Sequence, residues 1–127
     1  MVNFMRLKEL RLEFNLSLRD FEKFGIGKNV INSIENGDRK LTEERLVFFC
    51  ELFKVTSDYL LGLTDDGILV KVFDKLYSIN KVQFNFYSSI NMISYVDSVR
   101  ILNVSSLEDI EFVNSNVPSI KLKKESI

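Results

Sequence analysis

Leu16-Ser17-Leu18-Arg19-Asp20-Phe21-Glu22-Lys23-Phe24-Gly25-Ile26-Gly27-Lys28-Asn29-Val30-Ile31-Asn32-Ser33-Ile34-Glu35-Asn36-Gly37 reads as two short helices joined by a turn. Ser17 is a good N-cap and Asp20, three residues on, approximates a capping box, so a helix is predicted over Leu18 to Phe24, with Phe21 and Phe24 sharing a face. Gly25 and Gly27 flank Ile26, which suits a tight turn that reverses the chain while burying its centre. The next predicted helix, Lys28 to Asn36, sets Val30, Ile31 and Ile34 on or near one face and leaves Lys28, Asn29, Asn32 and Ser33 polar. Gly37 closes it as a left-handed cap.

Upstream, Leu7, Leu10 and Phe14 alternate with Arg6, Lys8, Glu9, Arg11 and Glu13 at helical spacing, predicting a first helix from Asn3 to Phe14. Downstream, Thr42 caps a fourth helix whose first turn carries Glu43 and Glu44 and whose stripe is Leu46, Phe49, Cys50 and Phe53. Thr56-Ser57-Asp58 opens a short fifth helix, Tyr59-Leu60-Leu61, closed by Gly62. Turn formers from Leu63 to Gly67 mark a boundary.

Beyond the boundary, Ile68, Val72, Phe73 and Leu76 recur at helical spacing and predict a sixth helix to about Ile79. Residues 81–102 support two readings: Phe86, Ile90 and Ile93 favour a helix, whereas Val82, Phe84 and Phe86 alternate with Gln83 and Asn85 as in a strand, and length favours the helix. The last 25 residues are rich in Asn and Ser, contain Pro118, and include the basic run Lys121-Leu122-Lys123-Lys124. The expected architecture is therefore all-α: a five-helix domain over 1–64, a helical segment over 68–102, and a loosely ordered tail over 103–127. The apolar faces carrying Ile68, Val72, Phe73, Leu76, Phe86, Ile90 and Ile93 exceed what an isolated helix can hide, so they are expected to form a dimerisation surface.

The composition excludes several chemistries. With no histidine and one cysteine in 127 residues, the chain lacks the commonest general base and cannot assemble a structural zinc site, so neither enzyme activity nor a metal or other cofactor is expected. Gly25-Ile26-Gly27-Lys28 lacks the spacing of a phosphate-binding P-loop. Apolar runs such as Leu46 to Cys50 fall far short of the roughly 20 residues that span a bilayer, the N-terminus has no secretory pattern, and Cys50 reads as a small core residue; a cytoplasmic protein is expected. Net charge is -1, and ten Lys and Arg balance ten Asp and Glu over residues 1–64, so any polyanion binding must rest on a few placed cations.

The ordered motifs Leu16-Ser17, Gly25-Ile26, Ile34-Glu35-Asn36-Gly37 and Val55-Thr56-Ser57-Asp58-Tyr59-Leu60-Leu61-Gly62 resemble the phage Cro and repressor-type (XRE-like) helix-turn-helix regulators over about the first half of the chain. That resemblance implies a repressor whose recognition helix, about 28–36, lies in the major groove of double-stranded operator DNA, as a homodimer on a pseudo-palindromic site. On this reading Lys28 and Asn29, followed by Asn32 and Ser33, meet base edges, while Arg19, Asn36, Arg39 and Lys40 contact phosphates. Arg11 and Glu35 resemble positions that tie the first helix to the recognition helix. Leu18 replaces a Gln common in the family, Gly27 replaces a capping hydroxyl residue, and the Ser17 to Gly37 stretch is one residue short. An alternative from another class is a protein-binding module, such as an antitoxin or phage-encoded inhibitor, that reuses the scaffold and grips an antirepressor or other protein partner through its C-terminal half.

Overall fold

The computed structural model describes residues 5–113 and 119–122. Its first half is helical: α1 Leu7–Glu13, a 3-10 helix Leu18–Phe24, α2 Lys28–Glu35, α3 Glu43–Phe53 and α4 Ser57–Leu60. Local chemistry sets these boundaries. The Ser17 and Asp20 capping box is formed in both directions, Thr42 and Thr56 accept from the amides of Arg45 and Tyr59, and Gly25 and Gly37 take left-handed φ values of 79° and 80°. The second helix winds as a 3-10 helix over seven residues, longer than such helices usually run. Its Phe21 is fully buried and meets the rings of Phe49 and Phe53.

After residue 64 the structure overturns the all-α expectation. Strands β1 Asp66–Val72 and β2 Lys75–Asn80 are followed by α5 Lys81–Ser89, then β3 Ile93–Val96, β4 Val99–Leu102, β5 Ile110–Val113 and β6 Ser119–Leu122. They form one six-stranded mixed sheet in the order β3-β4-β1-β2-β6-β5. The three hairpins β1-β2, β3-β4 and β5-β6 are antiparallel, and the outer two join the central one through parallel contacts of β4 with β1 and β6 with β2.

The predicted sixth helix fails because its apolar residues fit two periods at once. Ile68, Val70 and Val72 alternate along β1 and face Ile79, Tyr77 and Lys75 of β2, a period-two pattern that also places Tyr77 and Ile79 inward. The hairpin turns at Phe73, whose φ is 56°. Ile68 and Val72 are only 2% and 1% exposed, spent in the chain's own core, so neither can belong to a dimer surface as expected. Phe73 and Leu76 remain about half exposed, while Phe86, Ile90 and Ile93 are half-buried, Phe86 and Ile93 against the core.

The helical reading of 81–102 holds only to Ser89, where α5 ends and the β3-β4 hairpin begins. A capping box between Asn80 and Gln83 starts α5, a signal the sequence reading passed over. The expected tail contributes two strands, the second of which contains Lys121; Pro118, Lys123 and Lys124 lie outside the described residues. Cys50, expected in the core, is half-buried at a surface groove.

Helices and sheet share one apolar core, joined by buried polar contacts. Arg100 of β4 is fully buried, and its guanidinium donates to both Glu13 oxygens at 2.7 and 3.0 Å and to the carbonyls of Lys54 and Leu69 at 2.7 and 3.2 Å. Tyr95 of β3 donates its hydroxyl to Glu13 at 2.7 Å. Arg6 donates to the Tyr59 carbonyl and pairs with Asp65, and Lys81 pairs with Glu9. At Gly67, φ is 136° and an added Cβ would sit 2.1 Å from Thr56 Oγ1, so only glycine lets β1 close against α4.

Candidate nucleic-acid interface

The surface around α2 concentrates exposed polar and cationic groups. Lys28, Asn29 and Asn32 are exposed along α2 and Ser33 is half-buried; the Ser33 carbonyl accepts the amides of Asp38 and Arg39 at 2.8 and 3.2 Å, closing the helix. Ile31 and Ile34 anchor the opposite face in the core. Arg19 at the start of the 3-10 helix, Asn36 at the end of α2, and Arg39 and Lys40 in the following loop are all exposed. The fold thus brings all eight sequence-derived candidates to the 3-10 helix, α2 and the loop after it.

Charge is distributed unevenly between structural and open roles. Arg6, Arg11, Lys81 and Arg100 are engaged in ion pairs, whereas Arg19, Lys28, Arg39 and Lys40 form none among the described residues. Three carboxylates, Glu9, Glu13 and Glu35, each hold an arginine or lysine of the framework, while Glu22 and Asp38 are exposed on the same elements as the free cations. Asp20, on the same side, is held below the usual carboxylate range by the Ser17 amide and then the Ser17 hydroxyl, so it stays ionised as a cap.

The start of α2 is chemically open. Gly27 is the N-cap residue and supplies no side-chain acceptor, while its carbonyl takes the amides of Val30 and Ile31. The amides of Lys28 and Asn29 precede the first intrahelical bonds and are left at the positive end of the helix dipole, a setting that favours an anion. The framework beneath is rigidly tied: Arg11 grips Glu35 through Nε at 2.6 Å and a second guanidinium nitrogen at 3.2 Å, and a third bond reaches the Leu16 carbonyl at 2.9 Å. One bidentate pair thereby locks α1, α2 and the entry to the 3-10 helix together.

Sequence reading missed Lys23, an exposed cation in the last turn of the 3-10 helix, held over the Phe24 ring at 5.2 Å. It also missed Glu13, Tyr95 and Arg100, whose partners lie more than 80 residues apart in the chain. The only sequence signal was Arg100 at an alternating position between apolar neighbours of a short strand. Among the described residues no cluster of His, Cys, Asp and Glu is placed to hold a metal, and no helix is long and apolar enough to cross a membrane.

Two short helices meeting through a Gly-Ile-Gly turn, with the second exposing a polar face, define a helix-turn-helix unit. A helix-turn-helix family model matches residues 7–60. The chain is 39% identical over 62 residues to an uncharacterized HTH-type transcriptional regulator, YobD, of Bacillus subtilis (strain 168), a match covering 48% of this chain. It spans 55% of the length of that relative. No solved structure matches the chain. Over residues 7–60 the chain is thus similar to helix-turn-helix domains.

Proposed function

We propose that this protein is a transcription regulator that binds double-stranded DNA, acting as a repressor and as a homodimer on a pseudo-palindromic operator. Lys28 and Asn29 enter the major groove and read base edges, Lys on guanine O6 and N7 and Asn on adenine N6 and N7, each worth about 1–3 kcal/mol of discrimination. Asn32 and Ser33 lie a turn further along the groove. Arg19, Asn36, Arg39 and Lys40 contact phosphates and set register. The observation that carries the reading is the set of cations free of ion pairs around the open N-terminus of α2, on a domain that is charge-balanced as a whole.

The test is binding to the DNA flanking the protein's own coding region at several salt concentrations, with wild type and the Lys28→Ala/Asn29→Ala double variant compared. Sequence-specific binding that the variant loses while remaining folded supports the reading. Affinity should fall steeply with salt, with a log-log slope of about -0.9 per phosphate neutralised. Absence of specific binding by wild type at every salt concentration overturns it in favour of the protein-binding module, whose apolar interface would be far less sensitive to salt.

A further inference from the structure

We propose that the groove between α3 and β1 is a binding site for a lipophilic organic cation, a small molecule with an apolar body and one positive centre. The groove is open, encloses about 530 Å3 and lies where the helical half meets the sheet. Its apolar lining comes from Leu46, Val47 and Cys50 of α3, from Val55 just after that helix, and from Leu69 of β1. Small-molecule sites hold roughly 300–1,000 Å3, favour junctions between structural units, and combine apolar walls with few polar groups. This junction is fixed before any ligand arrives: the Leu69 amide donates to the Lys54 carbonyl at 3.0 Å, and Arg100 reaches the carbonyls of both residues. A preformed groove spares its ligand the cost of ordering the walls.

The charges along the groove select the sign of that ligand. Glu43 and Glu51 both line it, both are exposed, and neither forms an ion pair among the described residues. Positions 43, 46, 47, 50 and 51 recur at helical spacing, so the two carboxylates share the face of α3 that carries the apolar residues. Lys54, the one cation in the lining among the described residues, lies past the end of α3 and donates its ammonium to the Glu51 carbonyl, at the negative end of the helix dipole. It offsets Glu51 in part. Glu43 stands about 16 Å away along the helix, at 1.5 Å per residue, with no cation beside it in the groove. A cation placed at the Glu43 end is attracted where an anion is repelled, and its apolar body removes Val47, 51% exposed, and its neighbours from water.

The site is separate from α2 and does not rest on the DNA reading, so the full chain is tested without DNA. The probes are tetraphenylphosphonium and tetraphenylborate, near-isosteric ions of opposite charge, titrated by calorimetry. Tetraphenylphosphonium should bind at one site with a Kd on the order of 10–100 μM, and should slow N-ethylmaleimide labelling of Cys50, the chain's single cysteine, in step with that binding curve. Tetraphenylborate should bind about tenfold more weakly. Glu43→Gln should weaken the cation about threefold and narrow the preference between the two ions, a ratio that a merely structural role for Glu43 would not move. Val47→Lys, altering an exposed residue, should be folded by circular dichroism and lose the cation. No saturable binding of tetraphenylphosphonium, tetraphenylborate bound as tightly, binding that leaves Cys50 labelling unchanged, or an unaltered ion preference in Glu43→Gln would each overturn the proposal.

Discussion

Replacing Arg100 by Met tests what joins the sheet to the helix-turn-helix domain. Arg100 is fully buried and spends its guanidinium on Glu13, the Lys54 carbonyl and the Leu69 carbonyl. Methionine keeps much of the volume against Phe14 and Phe84, over whose rings the guanidinium lies at 5.2 and 5.7 Å, but removes every donor. Removing one member of a buried ion pair typically costs about 3–5 kcal/mol, because the other charge is left in a poor solvent. Glu13 retains 16% side-chain exposure and the Tyr95 hydroxyl, which places the expected loss near the lower end, at about 3 kcal/mol. Glu13→Gln should cost at least as much, about 3–5 kcal/mol, since it strands the fully buried Arg100 charge and turns one of its two accepting oxygens into a donor.

The double variant should then lose clearly less than the sum of the singles, because the two side chains are in direct contact and no charge remains stranded. Urea unfolding followed by far-UV circular dichroism measures this, the chain having no tryptophan for fluorescence. An Arg100→Met loss below about 1 kcal/mol, or strict additivity in the cycle, would refute the view that this pair holds the two halves together.

Gly67→Ala should lose about 2–5 kcal/mol, combining a φ of 136° with the 2.1 Å approach to Thr56 Oγ1, and a loss under 1 kcal/mol in the same unfolding assay would count against a closed junction there. Burial pushes the Tyr59 phenol up to about 12, partly offset by Arg6, so the folded chain holds this proton more tightly than the unfolded chain. Its contribution to stability is therefore complete below about pH 10 and declines as pH rises toward 12, a slope that Tyr59→Phe should flatten in urea midpoints taken across that window. Tyr95 is raised in the same direction, by burial and then by its bond to Glu13, and steepens the same alkaline loss. On DNA, Arg39→Gln should weaken binding evenly across sequences and reduce the salt slope by about one, whereas a change in sequence preference would move Arg39 from phosphate to base contact.

The sequence by itself determined the helical half and the location of its polar face. Those features are local: the Ser17 and Asp20 box, the threonine caps at 42 and 56, and the left-handed glycines at 25 and 37 act within a few residues, and each forms as the pattern implies. The Arg11 and Glu35 pair was legible only through family resemblance, since its members are 24 residues apart. Tertiary structure decided the second half. Ile68, Val72, Phe73 and Leu76 fit a helix as well as a strand when counted alone, and what selects the strand is pairing with residues 75–80 and flanking parallel contacts with β4 and β6. Non-local hydrogen bonds of that kind leave no periodic trace in one segment. Which apolar residues stay outside was decided in the same way: Ile68 and Val72 are buried while Val47 of α3, Phe73 and Leu76 stay exposed, because burial depends on which faces meet once the chain has closed.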